Sequence, residues 1–286
     1  METKKTRTFY MIQDQLNEKR AASAFSKQAL VFDGYDAGNM IIAYKRERVR
    51  EHVLRYLGSD GLILELNAGT GEDAIFFARR GHRVHATDIA EGMQAVLRDK
   101  VREQGLTERI SSEVCSFTAL ESLRDKGPYD LIFSNFAGLN CTRELEKVLL
   151  SFRPLLKPGG QVSLVILPSF SLWETLLMFR GRFRMAFRRL LAGKKGAPAK
   201  VEGMPFRCWY YPASFVKRVM ARDGFELLGQ EGLCTLVPPS YFEHFAERHP
   251  RLYRFLRGLE DRWKDKWPWR TIGDYYIVSF RLRPVL

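Results

Sequence analysis

Five residues, Asn67-Ala68-Gly69-Thr70-Gly71, follow an apolar run that opens at Leu62 and precede a helix-forming segment that opens at Glu72. Gly69 and Gly71 let the backbone turn sharply and come close to a ligand. Asp88 closes the next apolar run, 19 residues past Gly69. An acid at that place accepts the two hydroxyls of a ribose. The chemistry on offer is therefore nucleotide binding. The dinucleotide fingerprint G-x-G-x-x-G does not fit, because its first and last positions fall on Asn67 and Glu72. A pyrophosphate also needs an uncrowded helix N-terminus. Here Glu65 precedes the turn, and Glu72 and Asp73 open the helix. Three acids disfavour a phosphate and favour a nucleotide that carries positive charge.

The elements that must hold these residues alternate. Leu62–Asn67, Arg83–Asp88, Ile110–Cys115, Tyr129–Asn135 and Gln161–Leu167 are short and rich in Val, Ile, Leu and Phe. Helical patterns fall between them at Glu72–Arg80, Ala90–Glu103 and Arg143–Leu155, the last stopped by "LKPGG". Such alternation predicts an α/β fold, a doubly wound and mostly parallel sheet covered on both faces. Further strands are expected at Phe225–Gly229 and Tyr275–Arg281. The division expected is an N-terminal helical cap, 1–57, and a Rossmann-like domain, 58–286. The latter carries a basic helical insertion at 168–207, after the fifth strand, and a helical segment at 238–270, before the last.

The ordered segments "LELNAGTGEDA", "GHRVHATDIAEGM", "YDLIFSN" and "LKPGG" resemble the class I, Rossmann-like S-adenosylmethionine-dependent methyltransferases, of the ubiquinone/menaquinone-type small-molecule branch. The likeness spans about residues 60–167 and implies a seven-stranded sheet and S-adenosylmethionine as cofactor. That cofactor has a sulfonium, an amino group and no phosphate, as the three acids ask. The family's usual E-x-G-x-G-x-G opens its loop with Gly where this chain has Asn67, the non-Gly residue that best tolerates the left-handed conformation. The resemblance implies that Asn67, Ala68, Gly69, Thr70 and Gly71 contact the methionine part. It implies that Glu65 faces the amino group and that Asp88 holds the ribose. Ile89 and Met93 would pack beside the adenine, Ser116 and Phe117 line its edge, and Asn135 and Phe136 stand beside the methyl donor.

Methyl transfer from a sulfonium needs alignment and the exclusion of water more than acid or base. No metal-ligand spacing is present. Asn135, Asn140 and His244 are the candidates for a role in the chemistry; Cys141 reads as a small buried hydrophobe. Asn135 lacks the Pro-Pro that follows it in related families that methylate exocyclic amines, which disfavours a base or Gln nitrogen as the acceptor.

The 286-residue chain is 45% hydrophobic, with a net charge of +13 that favours an anionic partner. Four scattered cysteines and a polar N-terminus without an apolar leader point to the cytoplasm. The insertion holds nine cations against two acids, +7 of that excess. Its Leu172, Leu176, Phe179, Phe183, Phe187 and Leu190 share one face of a helix, with Arg180, Arg184, Arg188 and Arg189 off that face. Three readings follow. It is a lid packed on the core, an interfacial helix on an anionic membrane, or a nucleic-acid clamp, with nucleic acid ranked last because the aromatics lie off the basic face. A small-molecule acceptor leads; an RNA methyltransferase and an inactive cofactor-binding partner protein are the alternatives.

Overall fold

A computed structural model describes residues 4–284. The first three residues of the expected cap and the last two of the chain lie outside it. Seven strands form one sheet: β1 (Leu62–Leu66), β2 (Arg83–Asp88), β3 (Ile110–Val114), β4 (Tyr129–Ser134), β5 (Leu156–Ile166), β8 (Phe225–Leu233) and β9 (Tyr275–Leu282). The order is β3-β2-β1-β4-β5-β9-β8, and β6 (Ala197–Val201) and β7 (Met204–Cys208) make a separate antiparallel hairpin. The pairs from β3 to β5 are parallel; β9 runs antiparallel to both its neighbours.

The helices are α1 (Lys4–Asp36), α2 (Met40–Leu54), α3 (Glu72–Ala78), α4 (Glu91–Glu103), α5 (Leu145–Leu150), α6 (Leu172–Leu176), α7 (Phe183–Ala186), α8 (Arg188–Ala192), α9 (Ala213–Arg222), α10 (Phe245–Arg248) and α11 (Pro250–Trp263). The sheet is buried on both sides because strand residues alternate. Leu64 and Leu66 pack with Val148, Leu149 and Val216 of α5 and α9. Ile63 packs on the other face with Val49, Val53, Phe77 and Leu97 of α2, α3 and α4.

α2 is fastened to the sheet by charge as well. Arg48 and Arg55 pair with the buried Glu231 of β8. His52 Nδ1 lies 3.0 Å from the same carboxylate, and its Nε2 lies 2.9 Å from Ser279 Oγ of β9. Burial raises the Glu231 carboxyl, but the hydrogen bond and charge of His52, then Arg48 and Arg55, overrule it and hold it at about 2.

Two expectations change. "LKPGG" belongs to β5 rather than ending a helix; the β4–β5 ladder is irregular there and becomes regular from the Leu131–Gln161 pair onward. The preceding helix is correspondingly short, α5 plus a 3-10 turn at Arg153–Leu155.

The insertion departs further. It is not one helix but α6, α7 and α8 in short turns, then the β6–β7 hairpin. Gly181, at φ 71°, breaks the helix in the middle of the apolar stripe. The stripe also faces the wrong way for a lid: Phe179 is 79% exposed, Phe183 57% and Leu190 54%. Arg189, expected off that face, is buried instead, and donates to Glu174 Oε1 at 2.6 Å and to Asp274 Oδ1 at 2.7 Å. A charge that finds two carboxylates in the interior outranks a periodicity count.

Candidate active site

The strand order reverses between β1 and β4, which opens a crevice at the carboxyl ends of the sheet. A cleft lies in that crevice. Its lining includes Glu65, Asn67, Ala68, Gly69, Thr70, Asp88, Ile89, Met93, Ser116, Phe117, Asn135 and Phe136. Gly71 stands just behind it: at φ 83° a Cβ there would come within 2.8 Å of Leu97, so this glycine serves the packing of α4. Gly69, at φ 56°, has open space where a Cβ would project. The two glycines thus divide the tasks assigned to them jointly from sequence.

Asn67 adopts the left-handed conformation, φ 47°, and its side chain is used. Its Nδ2 donates to Asn135 O at 2.8 Å, and its Oδ1 accepts from Ser134 Oγ at 2.6 Å. The residue that departs from the family's glycine therefore ties the β1 loop to the β4 loop. Asp88 Oδ2 accepts from Gly69 N at 2.9 Å and Oδ1 from Ala90 N at 2.8 Å. Burial raises this carboxyl although the N–H groups of Ala90, Gly69 and Ile89 pull the other way.

The three acids around the loop separate once their partners are visible. Asp73 accepts from Arg50 Nε at 2.6 Å and from Asn135 Nδ2 at 2.7 Å, with Arg46 at 3.4 Å. Glu72 pairs with Lys100. Only Glu65 remains uncompensated: it is buried, and its Oε2 has no hydrogen-bond partner. Burial first, then the charges of Asp73 and Asp88, hold its carboxyl well above the usual range against the pull of Arg50 and Arg46. An orphaned carboxylate oxygen in a cleft asks for a cation, and the amino group of a bound amino acid is one.

Sequence reading expected an N-terminal cap but did not name the residues that close the cleft. Glu18, Ala21, Ala22, Phe25 and Phe32 of α1 line it from above. Their three- and four-residue spacing is the signal that could have found them. Glu18 Oε2 accepts from Ser116 Oγ at 3.0 Å and Thr118 Oγ1 at 2.9 Å, which carries a carboxylate to the end of β3. Asp33 ties the far end of α1 down, accepting from Thr70 Oγ1 at 2.6 Å and Lys100 Nζ at 2.8 Å. Arg46 of α2 was missed as well. It is the one base among the described lining residues, and its guanidinium lies 4.6 Å from the Phe136 ring centroid. Phe136 and Ala137 both have positive φ, 47° and 60°, a strained turn of the kind stored at functional sites.

Of the three candidates for chemistry, Asn135 lies in the cleft, pinned by Asp73. Asn140 does not line it. Its Nδ2 donates to Trp209 O at 2.5 Å and its Oδ1 accepts from Leu167 N at 3.0 Å, so it fastens the start of the insertion. His244 is on the surface, 3.2 Å from Glu247. Cys141 does border the cleft; hydrogen bonding with Cys208, then burial, keeps its thiol protonated.

Residues 63–160 match the family model described as a methyltransferase domain. The tRNA 5-carboxymethoxyuridine methyltransferase of Escherichia coli (strain K12) is 24% identical over 239 residues, 81% of this chain and 84% of its own. A demethylmenaquinone methyltransferase of Bacteroides fragilis is 27% identical over 187 residues, 61% of this chain and 73% of its own. Among solved structures, the Burkholderia thailandensis 1,6-didemethyltoxoflavin-N1-methyltransferase shares the fold with a TM-score of 0.57 at 14% identity, covering 94% of this chain and 90% of that one.

Proposed function

As a class I S-adenosylmethionine-dependent methyltransferase, the chain must bring an acceptor to an activated methyl group, and we propose that this acceptor is a small molecule, bulky and partly apolar. The roof of the cleft carries the reading. Ala21, Ala22, Phe25 and Phe32 meet Ile89, Met93, Phe117 and Phe136 across it, with Arg46 as the one base among the described lining. A phosphate-rich acceptor would find little to hold there.

The residues present fit the cofactor. S-adenosylmethionine supplies a methyl group already activated by its sulfonium. Asp88 would accept the ribose hydroxyls, Glu65 the amino group, and Arg46 would face the carboxylate. Ser116 and Phe117, with Glu18, would meet the adenine edge, flanked by Ile89 and Met93. Asn135 and Phe136 would stand beside the donor. α1 excludes water, which sharpens every charge beneath it. No histidine is among the described lining residues, so the acceptor atom must be nucleophilic without an imidazole base. We read 1–57 as a cap on a domain of 58–286, and place the protein in the cytoplasm on its four free cysteines.

A second reading, an RNA acceptor, is favoured by one observation. A basic groove with Arg20, Arg143, Lys194, Lys195 and Arg207 lies beside α1, and a relative matching most of the chain is named for tRNA.

Two measurements test this reading. S-adenosylhomocysteine binding should release a proton as Glu65 ionises, seen by calorimetry as a dependence of heat on buffer ionisation enthalpy. Glu65→Gln should abolish the release and weaken binding; wild-type binding without proton release would remove Glu65 from the site. Tritiated S-adenosylmethionine should label an organic-soluble fraction of cell extract. Label in purified total tRNA, and none in the organic phase, would replace the acceptor with RNA.

A further inference from the structure

Leu176, Phe179, Phe183, Phe187, Leu190 and Leu191 crowd into sixteen residues, and every one is exposed, Leu191 to 80%. Small apolar patches are ordinary on a monomer; six large side chains on one excursion are not. They are not a core that failed to close. The excursion has its own inner side, where Leu177, Ala186 and Ala192 are buried. It has its own pedestal, where Glu174 accepts from Arg188 Nη2 and Arg189 Nη2 at 2.6 Å each and Asp274 takes the other side of Arg189. Burial would raise the Glu174 carboxyl, but the two arginines hold it low. The outward display of large apolar side chains is thus fixed by buried ion pairs.

The charges around it have one sign. Arg180, Arg182, Arg184, Lys194 and Lys195 are all exposed, and no acid occurs between Glu174 and Glu202. We propose that this surface, residues 176–195, docks on an anionic lipid bilayer, its leucines and phenylalanines entering the acyl boundary and its cations meeting the headgroups. Apolar side chains ringed by Arg and Lys are what such an interface binds. RNA would use the aromatics as stacking platforms, but Leu176, Leu190 and Leu191 have no π-face to offer. Among the described residues no helix is long and apolar enough to cross a membrane, so the contact is with a surface. The excursion continues into the β6–β7 hairpin, whose Phe206 packs on Ala21, Ala24 and Phe25 of α1. The docking surface and the roof of the cleft are therefore joined through one hairpin.

The test uses the whole chain and large unilamellar vesicles of phosphatidylcholine, with and without about one-third phosphatidylserine. Sedimentation should find it with the anionic vesicles and not with the neutral ones. Each basic residue near such a surface contributes about fivefold, so R180Q/R182Q/R184Q should lose on the order of 100-fold. F179S/L191S should lose binding even to fully anionic vesicles. Both variants should keep wild-type affinity for S-adenosylhomocysteine, which shows that they are folded. Failure of the unmodified chain to sediment with anionic vesicles overturns the proposal. So does a concentration-dependent dimer, abolished by F179S/L191S, in a chain that ignores vesicles. Salt-sensitive binding of tRNA to the same surface, without vesicle binding, overturns it too. Lipid binding is read directly, so its failure leaves the acceptor reading standing.

Discussion

The cleft between β1 and β4 and the excursion at 172–195 were built from the same kinds of residue, yet they turned them in opposite directions. At the cleft, carboxylates and amides point inward, and all but Glu65 find partners: Asp88 takes two backbone N–H groups, Asp73 two arginines and an amide. At the excursion, large apolar side chains point outward and an arginine is buried. The first region is dictated by short-range pattern, an apolar run, a turn and a helix start, each of which fixes its own geometry. The second is dictated by partners far along the chain. Arg189 is fixed by Asp274, 85 residues away. A periodic stripe states that a face exists, not which side of it meets the core.

The largest effect should come from breaking the cleft at its turn. Gly69→Val places a β-branched residue at φ 56°, where such residues do not settle. The loop must move, and Gly69 N–H then leaves Asp88. Affinity for S-adenosylhomocysteine should fall at least on the order of 100-fold, with circular dichroism unchanged. Wild-type binding by this variant would contradict the assignment of the loop.

Arg189→Ala breaks the other region. It strips Asp274, 6% exposed, of Arg189 and leaves Glu174, 1% exposed, with Arg188 alone. Loss of one partner of a buried pair costs about 3–5 kcal/mol. Urea denaturation should show it, and proteolysis should cut first within 172–195. S-adenosylhomocysteine binding should survive in the folded fraction. A loss below about 1 kcal/mol, the scale of exposed ion pairs, would mean that the excursion is not anchored as described.

The sequence carried the cleft because adjacent residues make it: β1, the 67–71 turn, the acid at Asp88 and the ends of β3 and β4 were all readable by position. Its roof was legible as a helical cap but not by its contacts, since α1 reaches Ser116 from Glu18, 98 residues away. Nor was the neutralisation of Glu72 and Asp73, which weakens the charge argument against pyrophosphate and leaves Glu65 to bear it. The hairpin at 197–208 went unread beside the basic residues that flank it.

Acidification strikes a third place, the seam between α2 and the sheet. Glu231 is held at about 2 in the folded chain, below an ordinary carboxyl near 4.3. A depressed carboxyl stabilises the fold above its unfolded value and loses that contribution as pH falls through the folded one. About 3 kcal/mol should therefore be present at neutral pH and drain away between about pH 4.5 and 2. Denaturant midpoints across that range should show the slope, and Glu231→Gln should flatten it. An unchanged slope in the variant would move the acid sensitivity to other carboxyls.

The smallest effect bears most directly on the contrast between the two regions. If these exposed side chains faced the core, replacing Phe179 and Leu191 by Ser would empty two core positions, at about 3–5 kcal/mol for a Phe alone. At 79% and 80% exposure those side chains have little burial to lose, and exposed substitutions usually stay within about 0.5 kcal/mol. Phe179→Ser/Leu191→Ser should therefore leave the urea midpoint where it was. Leu177→Ala, one residue over from the exposed Leu176 and only 5% exposed itself, should cost about 2–5 kcal/mol in the same assay. The ratio matters more than either number. A costly double variant and a harmless Leu177→Ala would rotate the excursion by half a turn. The stripe would then be the packed lid that its periodicity suggests, and the outward display of aromatics would be gone.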